Sequence, residues 1–137
     1  MTTNIIQHHE PFDFETFYQT IKAGYINIDY RDFTTFMNHE GEKHSFMGRG
    51  AWKDRIEIAL GSAIASDEAV EIINRATLVM ITIVRSPEAD RPLLMEEMQF
   101  VQDFISGLPP ECDVVWGITD DSALGNEVKA IILVNAK

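Results

Sequence analysis

Residues 76–84 read Ala-Thr-Leu-Val-Met-Ile-Thr-Ile-Val and give the strongest indication of the fold. Its side chains are apolar or β-branched nearly throughout, which is typical of a strand that is buried on both faces or covered by helices. We therefore expect a central strand here, with helices formed by the segments on either side of it.

Two flanking segments have the apolar spacing of amphipathic helices. The upstream stripe follows positions i, i+3, i+4, i+7 and i+8, and it consists of Ile56, Ala59, Leu60, Ala63 and Ile64. The downstream stripe consists of Leu94, Met98, Val101 and Ile105. A Gly-Leu-Pro-Pro sequence at 107–110 ends the second helix. Both segments are long enough to cover a sheet.

Three further segments, 44–51, 113–119 and 128–134, have the composition of strands. The turn at 120–126 is rich in Asp, Gly and Asn, which predicts that the last two strands pair antiparallel as a hairpin. The sequence therefore predicts an α+β fold of the two-layer sandwich type, in which a four-stranded mixed sheet carries two main helices on one face.

Length and charge limit the classes of function. The 137 residues fit one domain, and 22 acidic against 11 basic residues give a net charge of −11. This balance argues against nucleic acid or an anionic membrane as the partner, and no apolar run is long enough to span a bilayer. The single cysteine, Cys112, excludes an internal disulfide and suits a reducing compartment. We therefore predict a cytoplasmic protein.

The chain divides into a flexible N-terminal arm at 1–12 and one domain at 13–137. His8 and His9 lie in the arm, where no ligand partner recurs at the spacing of a metal site. His39 and His44 lie in a polar connector, and we expect both side chains to be solvated. The sequence thus predicts no metal site.

Residues 24–32 read Gly-Tyr-Ile-Asn-Ile-Asp-Tyr-Arg-Asp and contain Asn27, Asp29 and Asp32. Amide and carboxylate oxygens at this spacing can together orient a water or a metal-bound phosphate for hydrolysis. The two acids equally suit the start of a helix, where carboxylates interact favourably with free amide groups and the helix dipole. Both readings remain open from the residues alone.

Three stretches, in this order, resemble the C-terminal domain of the FtsZ/tubulin family. Residues 24–33 are similar to its synergy loop, Gly-Leu-Ile-Asn-x-Asp-Phe-Ala-Asp-Val, and residues 46–50 to its Met-Gly-x-Gly strand. Residues 55–66 resemble its Arg-Ala-x-x-Ala helix and Ala-Ile-Ser-Ser ending. Residues 114–128 resemble its Ile-Ile-Phe-Gly and Asp-x-x-Leu-Gly-Asp-Glu-Val sequences. The resemblance covers nearly the whole chain and implies the fold of that domain.

The resemblance also implies a role for the polar residues at 24–32. In this family the synergy loop of one subunit reaches the GTP held by its neighbour, which makes Asp29 and Asp32 the catalytic acids and Asn27 a polar positioner. The family's Gly-rich phosphate loop has no counterpart here. We therefore expect the chain to bind no cofactor alone, with GTP and Mg entering only through a partner subunit. Arg31 occupies a position where the family usually has Ala.

Three functions remain open on this basis. The first is a cell-division or cytoskeletal filament module that contributes to GTP hydrolysis in trans, with an FtsZ-like protein or a second copy of the chain as its partner. The second is a domain or fragment of a larger FtsZ-like GTPase. The third is a diverged, non-catalytic oligomerisation or binding module.

Overall fold

The computed structural model describes residues 5–8, 30–91 and 93–137. The strands in these ranges are β1 (Ile5–Gln7), β2 (Glu42–Ala51), β3 (Ala76–Arg85), β4 (Asp113–Asp120) and β5 (Glu127–Ala136). The helices are α1 (Tyr30–Asn38), α2 (Arg55–Ala63), α3 (Asp67–Asn74) and α4 (Met98–Ser106). Short 3-10 turns at Met95–Glu97 and Ser122–Leu124 precede α4 and β5, respectively. The predicted α+β class and the central strand at 76–84 are confirmed.

The strands form one open, mixed sheet in the order β1-β2-β5-β3-β4. Strand β5 pairs antiparallel with both β2 and β3, whereas β1 pairs parallel with β2 and β4 pairs parallel with β3. The sheet therefore has five described strands where the sequence predicted four. The additional strand is Ile5–Gln7, which belongs to the segment predicted as a flexible arm.

The predicted hairpin between the last two strands is wrong. Strand β5 lies between β2 and β3, and β4 lies beyond β3 at the edge of the sheet. Burial explains this order, because β5 is buried on both faces over Ala130–Ala136 while most residues of β4 remain partly exposed. The parallel pair β3 and β4 is joined by the segment that contains α4, as parallel strands require a long crossover.

Helices cover both faces of the sheet, so the predicted two-layer sandwich is also incomplete. One face packs against three helices through a core that includes Ile56, Leu60, Ala69, Ile72, Met98 and Val101. The opposite face packs against α1 through a second core that includes Phe33, Phe36, Met47, Met80 and Leu133. Alternate residues of the inner strands supply the two cores, as the pleat of a sheet dictates. The structure thus has helices in two layers, one on either side of the strands.

Two glycines of β2 allow helix α2 to lie directly against the sheet. A Cβ atom at Gly48 would stand 2.2 Å from the carbonyl oxygen of Ala59, and one at Gly50 would stand 2.0 Å from that of Arg55. Both distances are far below van der Waals contact. The Gly-x-Gly spacing therefore serves the packing of α2 on β2.

Candidate functional site

The site predicted from the sequence falls at the start of helix α1. Of its three residues, Asp32 is described by the structure, whereas Asn27 and Asp29 lie outside the described residues. Asp32 belongs to the first turn of α1, and it is partly exposed. The structure therefore places one of the predicted acids at a helix start and tests neither of the other two residues.

Two buried phenylalanines hold α1 on the sheet. Phe33 and Phe36 are 0% exposed and pack in the second core with Met80 and Leu133. Residues three apart lie on the same side of a helix, so both rings face the strands. This packing fixes the orientation of the helix, and with it the position of Asp32.

The start of a helix is a favourable place for a carboxylate. The first amide groups of a helix lack intrahelical acceptors, and the helix dipole adds positive potential there. An ionised Asp32 accepts hydrogen bonds only, so it can orient a water molecule or balance the charge of a cation. Arg31, the preceding residue, is exposed. The geometry is compatible with both readings of the acid, the helix start and the polar site.

A second polar group, which no sequence motif indicates, lies where α2 meets the turn before α4. Arg55 is 4% exposed, and it donates from Nε to Oε1 of Glu97 over 2.7 Å and from Nη2 to Oε2 over 2.9 Å. Its Nη1 donates to the carbonyl oxygen of Arg91 over 3.2 Å. These hydrogen bonds hold the pKa of Glu97 below the usual value of a glutamate. The partners are 42 residues apart, so no local pattern reveals them.

A small cavity of about 70 Å³ adjoins this ion pair. Its lining consists of Trp52, Arg55, Asp90, Arg91 and Asn126. Trp52 is 73% exposed. Its backbone φ is 65°, which is uncommon for a residue with a bulky side chain. Asp90 and Asn126 hydrogen-bond each other across the cavity wall. The polar groups here bond mainly to one another, which favours a structural role.

His44 is buried, contrary to the predicted solvation. It is 4% exposed, and its Nδ1 lies 2.8 Å from Nε2 of His8, the residue that follows β1. The His8 ring also stacks on Phe46, with the ring centroids 4.5 Å apart. Glu42 lies 3.3 Å from Nε2 of His44 and Glu68 lies 3.9 Å from Nδ1 of His8. The two histidines therefore fasten the edge strand to the sheet.

Neither a metal centre nor a membrane span is found in the described part of the chain. No group of three or more His, Cys, Asp or Glu side chains in residues 5–8, 30–91 and 93–137 could hold a metal ion. Within the same ranges, every helix is too short or too polar to cross a bilayer.

Comparison with known proteins supports a single family. No model of a known protein family matches the chain. The chain is 29% identical over 120 residues to the cell division protein FtsZ of Porphyromonas gingivalis, which corresponds to 84% of this chain and 25% of that protein. It is 30% identical over 114 residues to FtsZ 1 of Methanocaldococcus jannaschii, or 82% of this chain and 30% of that protein. The chain thus spans between a quarter and a third of these relatives.

Solved structures agree with the sequence similarity. An empty FtsZ dimer from M. jannaschii superposes with a TM-score of 0.66 at 25% identity, over 80% of this chain and 31% of the other. TubZ of Bacillus thuringiensis serovar israelensis, in GDP-form protofilaments, matches with a TM-score of 0.54 at 14% identity, which shows a shared fold alone. The fold and the similarities together identify the chain as a partial FtsZ/tubulin-like domain.

Proposed function

We propose that this domain contributes a synergy loop, at residues 24–32, to the hydrolysis of GTP bound by a neighbouring FtsZ-like subunit. The observation that carries the proposal is the position of Asp32. It is a partly exposed acid in the first turn of a helix that the fully buried Phe33 and Phe36 hold on the sheet. A carboxylate held in this way meets the need of phosphoryl transfer for fixed positions.

The two acids and the amide have different tasks in this proposal. Asp29 and Asp32 polarise the attacking water, while the Asn27 amide helps to position it. GTP and Mg²⁺ come from the partner subunit, because the phosphate loop of the family has no counterpart among the 137 residues. Hydrolysis then occurs only where two subunits meet, and the partner is an FtsZ-like protein of the cytoplasm.

The net charge of −11 makes association with an acidic partner depend on the salt concentration. Two strongly acidic proteins repel each other at long range, and salt screens that repulsion beyond a Debye length of about 8 Å at physiological ionic strength. Association with an acidic partner should therefore be stronger at physiological salt than at low salt. Arg31, an exposed cation beside Asp32, lessens the negative charge at the point of contact.

The test is to mix the domain with full-length FtsZ of P. gingivalis and GTP, and to measure phosphate release together with co-sedimentation. We expect the domain to change the hydrolysis rate in proportion to its concentration. Asp29→Asn and Asp32→Asn should reduce the part of the rate that depends on the domain by about 10²-fold, the lower range for a positioned acid or base. The matched control is Asp67→Asn, which removes an exposed acid from the first turn of α3.

The outcomes separate the proposal from its competitors. Equal hydrolysis with and without the domain at equimolar concentration contradicts the proposal. Co-sedimentation that survives both Asp→Asn changes, with no effect on hydrolysis, supports a non-catalytic binding module instead. Micromolar binding of GTP by the isolated domain, measured by calorimetry, would contradict the assignment of GTP to the partner.

A further inference from the structure

A groove runs between helices α2 and α4 on the face of the sheet opposite α1. It has a volume of about 330 Å³ and opens to solvent. Its lining comes from α2, the residue that follows α2, and α4, and it consists of Glu57, Leu60, Gly61, Ile64, Phe100, Asp103 and Phe104. The groove is separate from the start of α1, so its role does not depend on the proposed role in GTP hydrolysis.

The floor of the groove is apolar and continuous with the main core. Leu60 belongs to that core, and Ile64, Phe100 and Phe104 pack against it while remaining partly exposed. The two phenylalanines are four residues apart, so they stand next to each other along α4. Partly exposed aromatic rings beside a buried leucine are the kind of surface that anchors a partner's apolar side chains.

Gly61 lines the groove without a side chain. It lies within α2, and apart from its chain neighbours and the backbone of the helix no atom stands within 4 Å of the position that a Cβ at this residue would occupy. A side chain here would point into open space. Glycine in the middle of a helix is less favourable than alanine, so this open space comes with a loss of helix stability.

The rim of the groove is acidic. Glu57 and Asp103 contribute a carboxylate from each helix, and both residues are exposed. The chain as a whole carries a net charge of −11, so the surrounding field has the same sign. Charge complementarity therefore favours a partner that presents Lys or Arg beside its apolar side chains. A second copy of this acidic chain is disfavoured for the same reason.

From these features we propose that the groove between α2 and α4 binds a basic amphipathic helix of a partner protein. A groove between two helices accepts a third helix through apolar side chains spaced at i, i+3, i+4 and i+7. In this arrangement the apolar side of the partner helix contacts Phe100 and Phe104, and its basic side faces Glu57 and Asp103. The groove thereby gives the domain a second interaction surface, on the face of the sheet opposite α1.

The experiment uses a synthetic amphipathic helical peptide with Leu on one side and Lys on the other. Its affinity for the domain is measured by fluorescence anisotropy, and its footprint by hydrogen exchange of the α2 and α4 amides. Gly61→Phe fills the groove and should weaken binding by about tenfold or more, as loss of a central anchor site does. Gly61→Ala is the matched control and should leave the affinity within about twofold, because a methyl group occupies little of the groove.

Charge reversal provides a second test, which does not require that a variant with a large new side chain, such as Gly61→Phe, still folds. Asp103→Lys should weaken binding by several fold, whereas Glu88→Lys, the same charge change in an exposed loop, should have a smaller effect. The difference should shrink as salt is added. Equal effects of the two changes, or unchanged affinity in Gly61→Phe, would overturn the proposal in favour of unspecific charge attraction. If the chain dimerises without the peptide and Gly61→Phe abolishes the dimer, the groove serves self-association instead.

Discussion

Arg55 and Glu97 form a two-point ion pair, with N–O distances of 2.7 and 2.9 Å, that links the first residue of α2 to the turn before α4. The Arg55 side chain is 5% exposed and that of Glu97 16%. A planar guanidinium matches a carboxylate in this way because both of its parallel N–H groups find an acceptor. The pair therefore fixes how the two helices that border the groove lie relative to each other.

Removal of Glu97 should destabilise the domain strongly. Glu97→Ala leaves the buried Arg55 without its carboxylate, and an uncompensated buried charge costs about 3–5 kcal/mol. The control is Glu71→Ala, which breaks an exposed pair with Arg75 at 2.7 Å and should cost about 0.5 kcal/mol or less. Urea unfolding of both variants measures the two free energies. Similar losses in the two variants would show that burial adds little to the Arg55 pair.

The ion pair of Arg55 and Glu97 should make the free energy of unfolding depend on pH in the acid range. Because the hydrogen bonds from Arg55 lower the pKa of Glu97 in the folded state, the stabilisation is fully present above the unfolded value of about 4.3. It is lost as the pH falls through the lower, folded value. Glu97→Gln should therefore flatten the decline of the unfolding free energy between about pH 5 and the acid limit. An unchanged acid slope in this variant would assign the decline to other carboxylates.

Two glycine-to-alanine changes should have opposite effects. Gly61→Ala introduces a methyl group into open space within α2 and should stabilise the domain by about 0.5–1 kcal/mol. Gly48→Ala places a Cβ about 2.2 Å from the Ala59 carbonyl oxygen, so α2 must shift away from β2 and the domain should lose stability. Thermal unfolding midpoints give the sign of each change. A destabilised Gly61→Ala variant would contradict the open space beside α2.

His8→Ala should release the edge strand without unfolding the rest. The change removes both the hydrogen bond to His44 and the ring stacked on Phe46, for an expected loss of about 1–2 kcal/mol at this strand. Hydrogen exchange should then speed up for β1 amides, while the centre of β5 remains protected. Equal loss of protection in both strands would show that β1 belongs to the same cooperative unit as the core.

Cys112 should react slowly with thiol reagents near neutral pH. Burial raises the pKa of its thiol, and the adjacent Asp113 carboxylate raises it further, so the reactive thiolate is scarce. The rate of alkylation should rise at a higher pH than it does for free cysteine. Asp113→Asn should move this rise part of the way toward the pH of free cysteine. The return is only partial because burial is the larger cause of the raised pKa. A rate that matches free cysteine across the pH range contradicts this account.

The identity of the elements could be predicted from the sequence more readily than their arrangement. Local patterns predict both elements: a run of β-branched residues predicts the central strand β3, and an apolar stripe at helical spacing predicts helix α2. The position of β5 between β2 and β3 depends on pairings with residues far away in the chain, and a turn rich in Asp and Gly is compatible with a hairpin and with a longer connection alike. Strand order is a property of the whole sheet.

The burial of charged and polar residues could not be predicted from the neighbouring sequence either. Arg55 precedes the apolar stripe of α2 like any solvated residue, and its burial depends on a carboxylate from a distant turn. His44 occupies a polar segment, but a strand from the other end of the sequence supplies the ring that covers it. For the candidate site, the helix start at Asp32 followed from its spacing, whereas Asn27 and Asp29 stay predictions.

The central position of β5 has a consequence for how the domain is made. Among the described strands, β5 is the last to be synthesised, yet it alone connects β1 and β2 to β3 and β4. Until it emerges, two strand pairs exist with no hydrogen-bonded link between them. The first residue of β2 then pairs with the last residue of β5, a contact of high sequence separation that slows folding. The sheet should therefore form in one late, cooperative step, and a chain truncated before Glu127 should leave two unjoined halves that are prone to aggregate.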